Sequence, residues 1–281
     1  MKIKQAASNQ GFTLVETLIS MLISTIIIGV ALTQLLGSRV LFAQQEANSR
    51  IDENARYALD FLTKNIRKAG YVDTGPSSNQ DLPKGQFFDE GCGSITNNDT
   101  VFNPCTNNAA GTASHHIAVW TNPHSSQEQT CSGINLTDAN TSIANLFYLA
   151  SEQLRCRSYS INDNTNTATY ISDSDTEIID GIHNMQILYG LTDRSFSNSI
   201  PIRYISAATI NAIADEYSKK SAWSSVVSVR IILLVGTGIN DGQDSRATRT
   251  YTLGDADSKE YTDGNLRRVF SSTVALNNAI F

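Results

Sequence analysis

Residues 11–36 read GFTLVETLISMLISTIIIGVALTQLL. From Phe12 to Leu36 that is 25 residues carrying one charge, Glu16. At 1.5 Å per residue a helix of this length covers about 37 Å, enough to cross the hydrocarbon of a bilayer. The helical pattern does not end there. No proline occurs before Pro76, and Ala47, Ile51, Ala55, Ala58, Leu62, Ile66 and Ala69 recur at steps of three and four, which draws one apolar stripe along a helix. Arg50, Asp52, Glu53, Arg56, Asp60, Lys64 and Arg67 fill the other faces, and Gly70 supplies a stop. The pattern predicts one helix of about 58 residues from Phe12 to Ala69, apolar all round in its first half and amphipathic in its second. The amphipathic half needs a partner surface, most simply a sheet of the same chain.

Seven β-branched or aromatic runs between turn residues supply the strands: 116–120, 146–150, 154–160, 178–190, 226–235, 248–253 and 267–276. NDNTNT (162–167) and GTGINDGQDS (236–245) are predicted to join hairpins, and 201–221 carry a short helical pattern inserted between strands. A long helix followed by antiparallel strands defines an α+β fold. Residues 71–114 are rich in Gly, Asn, Asp, Ser and Pro and read as long loops. The chain divides into a polar leader (1–11), an apolar half-helix (12–36), an amphipathic half-helix (37–70) and a β-rich domain (71–281).

Charge bounds the function. Lys plus Arg number 21 against 27 for Asp plus Glu, a net charge of -6, which argues against direct binding of nucleic acid by charge. Lys2 and Lys4 are the only charges before the apolar stretch, so the positive-inside rule holds the leader in the cytoplasm and sends the domain across. Four cysteines, Cys92, Cys105, Cys131 and Cys156, lie in that domain without C-x-x-C spacing. An even number in an exported domain predicts two disulfides. Three connectivities exist, and pairing across the shorter loops favours Cys92 with Cys105 and Cys131 with Cys156.

Nothing in the sequence predicts an enzyme, a cofactor or a metal. His115, His116 and His124 are close in sequence, but neighbours on a strand face opposite ways. GTGIND opens no helix and there is no G-x-S-x-G elbow. The aspartates of NDNTNT and NDGQDS lack the spacing of a calcium loop and suit turns. Arg267 and Arg268 read as ion-paired strand ends.

Glu16 needs a reason, because an ionised carboxylate in hydrocarbon costs roughly 2.5 to 3.5 kcal/mol or more. A secretory signal places its apolar region before the cleavage site. Here the polar leader MKIKQAASNQG comes first and the apolar helix follows at once; a weak site after Ala31 would discard the anchor. Gly11, Phe12 and Glu16 in this order resemble the class III leader of type IV pilins and of the pseudopilins of type II secretion. That resemblance implies a prepilin peptidase that cuts between Gly11 and Phe12 and methylates the Phe12 amine. It further implies that Glu16 neutralises the Phe12 amine of a neighbouring subunit, a task glutamine could not perform.

ENARYALDFLTKNIRKAGY (53–71), IIDGIHNMQILYG (178–190), WSSVVSVRIILLV (223–235) and RRVFSSTVAL (267–276) extend the likeness along the chain. Together they resemble the PilW family of minor pilins, although many relatives carry an Arg-Asn pair where this chain has Asn277 and Asn278. The resemblance implies a pilin-like fold, a long helix packed on an antiparallel sheet. It implies a single inner-membrane span in a Gram-negative bacterium, a periplasmic domain, and later residence in a pilus, at its tip. The implied partners are other minor pilins, the major pilin, the prepilin peptidase and the inner-membrane assembly platform. The implied role is to prime or cap the filament, with a type II secretion pseudopilin or a tip adhesin as alternatives.

Overall fold

A computed structural model of the chain describes residues 13–71, 114–121, 130–135, 141–162, 167–192, 201, 203–213, 222–223, 225–240 and 248–277. It falls into two compact units, Met1–Glu46 and Ala47–Phe281. Within the described part of the first unit the chain is one helix, the opening stretch of α1 (Leu14–Arg67).

In the second unit α1 buries Ala47, Ile51, Ala55, Ala58, Leu62 and Ile66. These are the residues of the apolar stripe, and the small side chains at 47, 55 and 58 let the helix lie close to what it covers. The helix ends after Arg67. Gly70 takes a left-handed φ of 71°, and its N–H donates to the carbonyl of Trp120 at 2.9 Å, so the helix exit is tied to a strand.

The strands are β1 (Ile117–Thr121), β2 (Thr141–Ala150), β3 (Gln153–Asn162), β4 (Thr167–Tyr170), β5 (Thr176–Asp180), β6 (Ile182–Leu191), β7 (Arg203–Ile205), β8 (Val226–Asn240), β9 (Arg249–Tyr251), β10 (Lys259–Tyr261) and β11 (Asn265–Ala275), with a short helix α2 (Ala207–Asn211) after β7. A five-stranded sheet runs β1-β2-β3-β4, with β5 also on β3; a four-stranded sheet runs β11-β8-β6-β7; β9 and β10 form a hairpin. All pairings are antiparallel, so the class is α+β.

One core joins both sheets to α1. Ile51, Leu62 and Ile66 share it with Ile117 and Phe147 of the first sheet and with Ile187, Ile231 and Val274 of the second. The other face of the four-stranded sheet is also covered: Leu188, Ile232 and Leu234 pack with Leu253, Tyr251 and Tyr261 of the hairpin region. Burial on both faces explains why residues 231–235 of β8 are a continuous aliphatic run rather than an alternating one.

Three sequence expectations change. The run 178–190 is two strands: Gly181, at φ 76°, separates β5 on the first sheet from β6 on the second. Residues 236–240 continue β8 rather than turn, and β8 pairs with β11 and β6, not with β9. Within 201–221 the described residues form β7 and the five-residue α2. By contrast β3 and β4 do pair as a hairpin, with residues 163–166 outside the described set.

Candidate functional site

Along the first stretch of α1 every described large apolar side chain is exposed, from Leu14 at 75 % to Phe42 at 71 %. It is long and apolar enough to cross a membrane. Its hydroxyl side chains are turned back onto the helix. Thr17 donates to the carbonyl of Leu14, Ser20 to that of Glu16, Ser24 to Ser20, Thr25 to Met21 and Leu22, Thr33 to Val30 and Ser38 to Gln34. Each hydroxyl proton is thereby satisfied without water, as an apolar environment requires.

Glu16 is the exception, a carboxylate in the first turn of α1. Its backbone N–H donates to Thr13 Oγ1 at 3.3 Å, so Thr13-Leu14-Val15-Glu16 has the spacing of a capping box. A negative charge at this end is favoured by the helix dipole, but a terminal effect of at most about 1 kcal/mol at an exposed site is smaller than the cost of the charge in hydrocarbon. Gly11 and Phe12 lie outside the described residues.

In the domain Cys131 and Cys156 form a disulfide. It fastens the turn at 130–135 to β3 beside a buried polar group: Asn145 Oδ1 accepts from the Cys131 N–H at 3.2 Å and from Ser158 Oγ at 2.6 Å, and the Ser158 N–H donates to Ser174 Oγ at 3.0 Å. Cys92 and Cys105 lie outside the described residues.

The described histidines serve the fold. His115 is buried and accepts the Ile187 N–H through Nδ1 at 2.9 Å, which requires the neutral ring. Burial pushes the pKa values of both His115 and His116 down to about 4. His124 lies outside the described residues, and among those described no three His, Cys, Asp or Glu side chains group as a metal site. Arg267 is buried, ion-paired to Asp263 and stacked 4.0 Å from the centre of the Tyr261 ring; its guanidinium holds the Asp263 carboxyl well below the usual range. Arg268 pairs with Asp52 of α1 at 3.4 Å.

The structure adds a cluster the sequence did not disclose. Asp175 accepts from Tyr148, Arg155 and Arg157, and the Arg157 guanidinium lies 5.5 Å from the ring centres of both Tyr148 and Tyr170. The alternation of Arg155 and Arg157 along a strand was visible, but Asp175 stands in the turn before β5 and only the β3–β5 register brings it there. Asp175 is ion-paired to both guanidiniums and joins β3 to the turn before β5, a structural fastening of the first sheet.

No curated protein matches the chain significantly. Among solved structures, a type IV-like pilin of Thermus thermophilus is similar over 82 % of this chain and 97 % of its own, at 11 % identity and a TM-score of 0.46. The prokaryotic N-terminal methylation motif matches residues 7–32, the span that holds Gly11, Phe12 and Glu16. The family model of type IV pilus-assembly protein W matches residues 138–278, just over half of the 281. The chain therefore belongs to the PilW family of type IV pilus-assembly proteins, as a membrane-anchored pilin.

Proposed function

We propose that this minor pilin primes or caps the type IV pilus without catalysing a reaction. The prepilin peptidase cuts between Gly11 and Phe12, α1 waits in the inner membrane, and the domain stands in the periplasm. On assembly Glu16 meets the Phe12 amine of an adjacent pilin, minor or major, on the inner-membrane platform. Either charge left alone in the apolar centre of a filament costs several kcal/mol (~3), so the pair selects axial register as well as affinity.

The observation that carries this reading is the stretch of α1 with every large apolar side chain exposed and every hydroxyl closed onto the backbone, interrupted by the single carboxylate of Glu16. Such a surface needs a lipid or protein partner, and the charge needs a cationic one.

The test is the number of surface pili per cell after deletion of the gene in a strain unable to retract pili. Loss of filaments is expected for a primer. Pili at normal number with blocked enzyme export would assign the chain to a type II secretion filament. Normal pili with lost attachment would assign it to adhesion, and either result would overturn the priming role.

A further inference from the structure

β11 is the outermost strand of the four-stranded sheet. Its pairing with β8 fixes which backbone groups point away from the sheet. The Leu276 N–H donates to the Val227 carbonyl at 2.9 Å, and Ala275 stands opposite Ser228, so 276 and 227 are a hydrogen-bonded pair. In an antiparallel ladder such pairs alternate. Even-numbered residues of this part of β11 therefore bond to β8, while Val269, Ser271, Thr273 and Ala275 turn both N–H and C=O outward. All four are exposed.

The beginning of the same edge is closed. Arg249 Nη1 donates to the Asn265 carbonyl and the Tyr251 hydroxyl to the Arg267 carbonyl, each at 3.4 Å. Beyond Arg267 no described residue covers the outward groups. Nor does the edge carry the usual protection. Exposed edges are blunted by proline, lysine, bulges or brevity, whereas residues 269–276, VFSSTVAL, hold no charge and no proline and the one bulge lies before them, between Asn265 and Arg267.

We propose that the outer edge of β11, from Val269 to Ala275, is a docking edge on which an extended strand of a different subunit of the same filament pairs. The inference rests on the pilin reading above. Four outward residues with a full set of donors and acceptors fit a strand, because only extended backbone repeats its hydrogen-bonding groups at this spacing. The site also adjoins α1: Arg268, next to the open stretch, is the residue that pairs with Asp52.

A second copy of this chain is a poor occupant. Self-pairing of β11 about a two-fold axis would reverse α1 of one copy against the other, whereas chains inserted in one membrane from one side share a direction. Head-to-tail pairing would use the opposite edge, where β7 offers three residues, Arg203–Ile205, and where Met185 and Ile187 of β6 already bond to His115, so no open run there matches that of β11. A different pilin, inserted with the same polarity, meets neither obstacle.

Proline at an outward-facing position removes the docking donor and leaves the bonds to β8 in place. In the full chain expressed in cells, Ser271→Pro is expected to insert, lose its leader and form disulfides as the wild type does, yet reduce surface pili about tenfold, the effect of losing one hydrogen bond with its geometry. Ser271→Ala keeps the N–H and is expected to assemble normally. A photocrosslinking amino acid at position 269 should give an adduct with a different pilin, lost on Ser271→Pro. Wild-type pilus numbers for Ser271→Pro, an adduct of two copies of this chain, or no adduct would each overturn the proposal. If Ser271→Pro fails to accumulate, the photocrosslink alone decides. Glu16→Gln separates the two readings: normal assembly of that variant removes the filament reading, whereas normal assembly of Ser271→Pro beside a defective Glu16→Gln removes the docking edge alone.

Discussion

His115 gives the domain a pH dependence whose size follows from its site. The ring accepts the Ile187 N–H through Nδ1, and protonation would set an N–H against that N–H inside the fold. Burial, offset in part by Asp255, holds the folded pKa at about 4 against 6.5 in the unfolded chain. Between these values the unfolded chain binds more protons, so the contribution is complete above pH 6.5, falls as the pH drops and levels off below 4. Between pH 7 and pH 5 the linkage amounts to about 2 kcal/mol. His116 and His183, both lowered by burial, act in the same direction. The depressed carboxyl of Asp263 contributes above the ordinary carboxylate range and loses that contribution in more acid solution, below this window.

The assay is urea unfolding of the detergent-solubilised chain at both pH values, followed by fluorescence of Trp120 and Trp223, the chain's two tryptophans. Both are buried in the domain. His115→Gln keeps a carbonyl oxygen to accept from Ile187 and cannot titrate. It should lose about 2 kcal/mol less than the wild type between pH 7 and pH 5, whatever its stability at pH 7. Equal losses would show that His115 is not held neutral by its site and would refute the argument.

Three further outcomes follow from particular residues. Replacing Cys131 and Cys156 together by Ala opens a loop of 25 residues and should cost about 3.5 kcal/mol in the same assay; non-reducing peptide mapping should separately find Cys92 joined to Cys105. Leu62→Ala, fully buried under the sheets, should cost about 2 to 5 kcal/mol, whereas Leu22→Ala, on the exposed stretch, should leave the tryptophan transition unmoved. Glu16→Gln should insert and be cleaved but yield few pili by electron microscopy, since it leaves a neighbour's amine unpaired; normal pilus numbers would remove the role assigned to the carboxylate.

The helix was legible because its two signals do not interfere. A charge-free apolar run marks one half, and a stripe at helical spacing marks the other, so Ile51, Leu62 and Ile66 could be placed in the core before any strand was located. The long strands were legible for their aliphatic content, but not their ends. β6 and β8 are buried on both faces, which erases the alternation that would have set register. β7, β9 and β10 have three residues each, too few to show a period. Glu16 stood out because nothing else in its surroundings is charged. Asp175 did not, since an aspartate between turn residues looks like any other until β3 and β5 are aligned.

Gly181 shows how a single residue kept the architecture hidden. Read as sequence, 178–190 is one apolar run. In the fold its φ of 76° turns the chain from one sheet to the other, and the turn is closed by the Gly236 N–H donating to the Gly181 carbonyl at 2.9 Å. A Cβ at 181 would stand 2.7 Å from the Gly236 carbonyl oxygen, so both the dihedral and the space demand glycine. Because the corner is this tight, β5 and β6 leave it on different sheets with no loop between them, and the sheets meet over a shared core under α1 rather than as separate layers. The same hydrogen bond ties the corner to β8, the strand that lies between β6 and β11 in the second sheet.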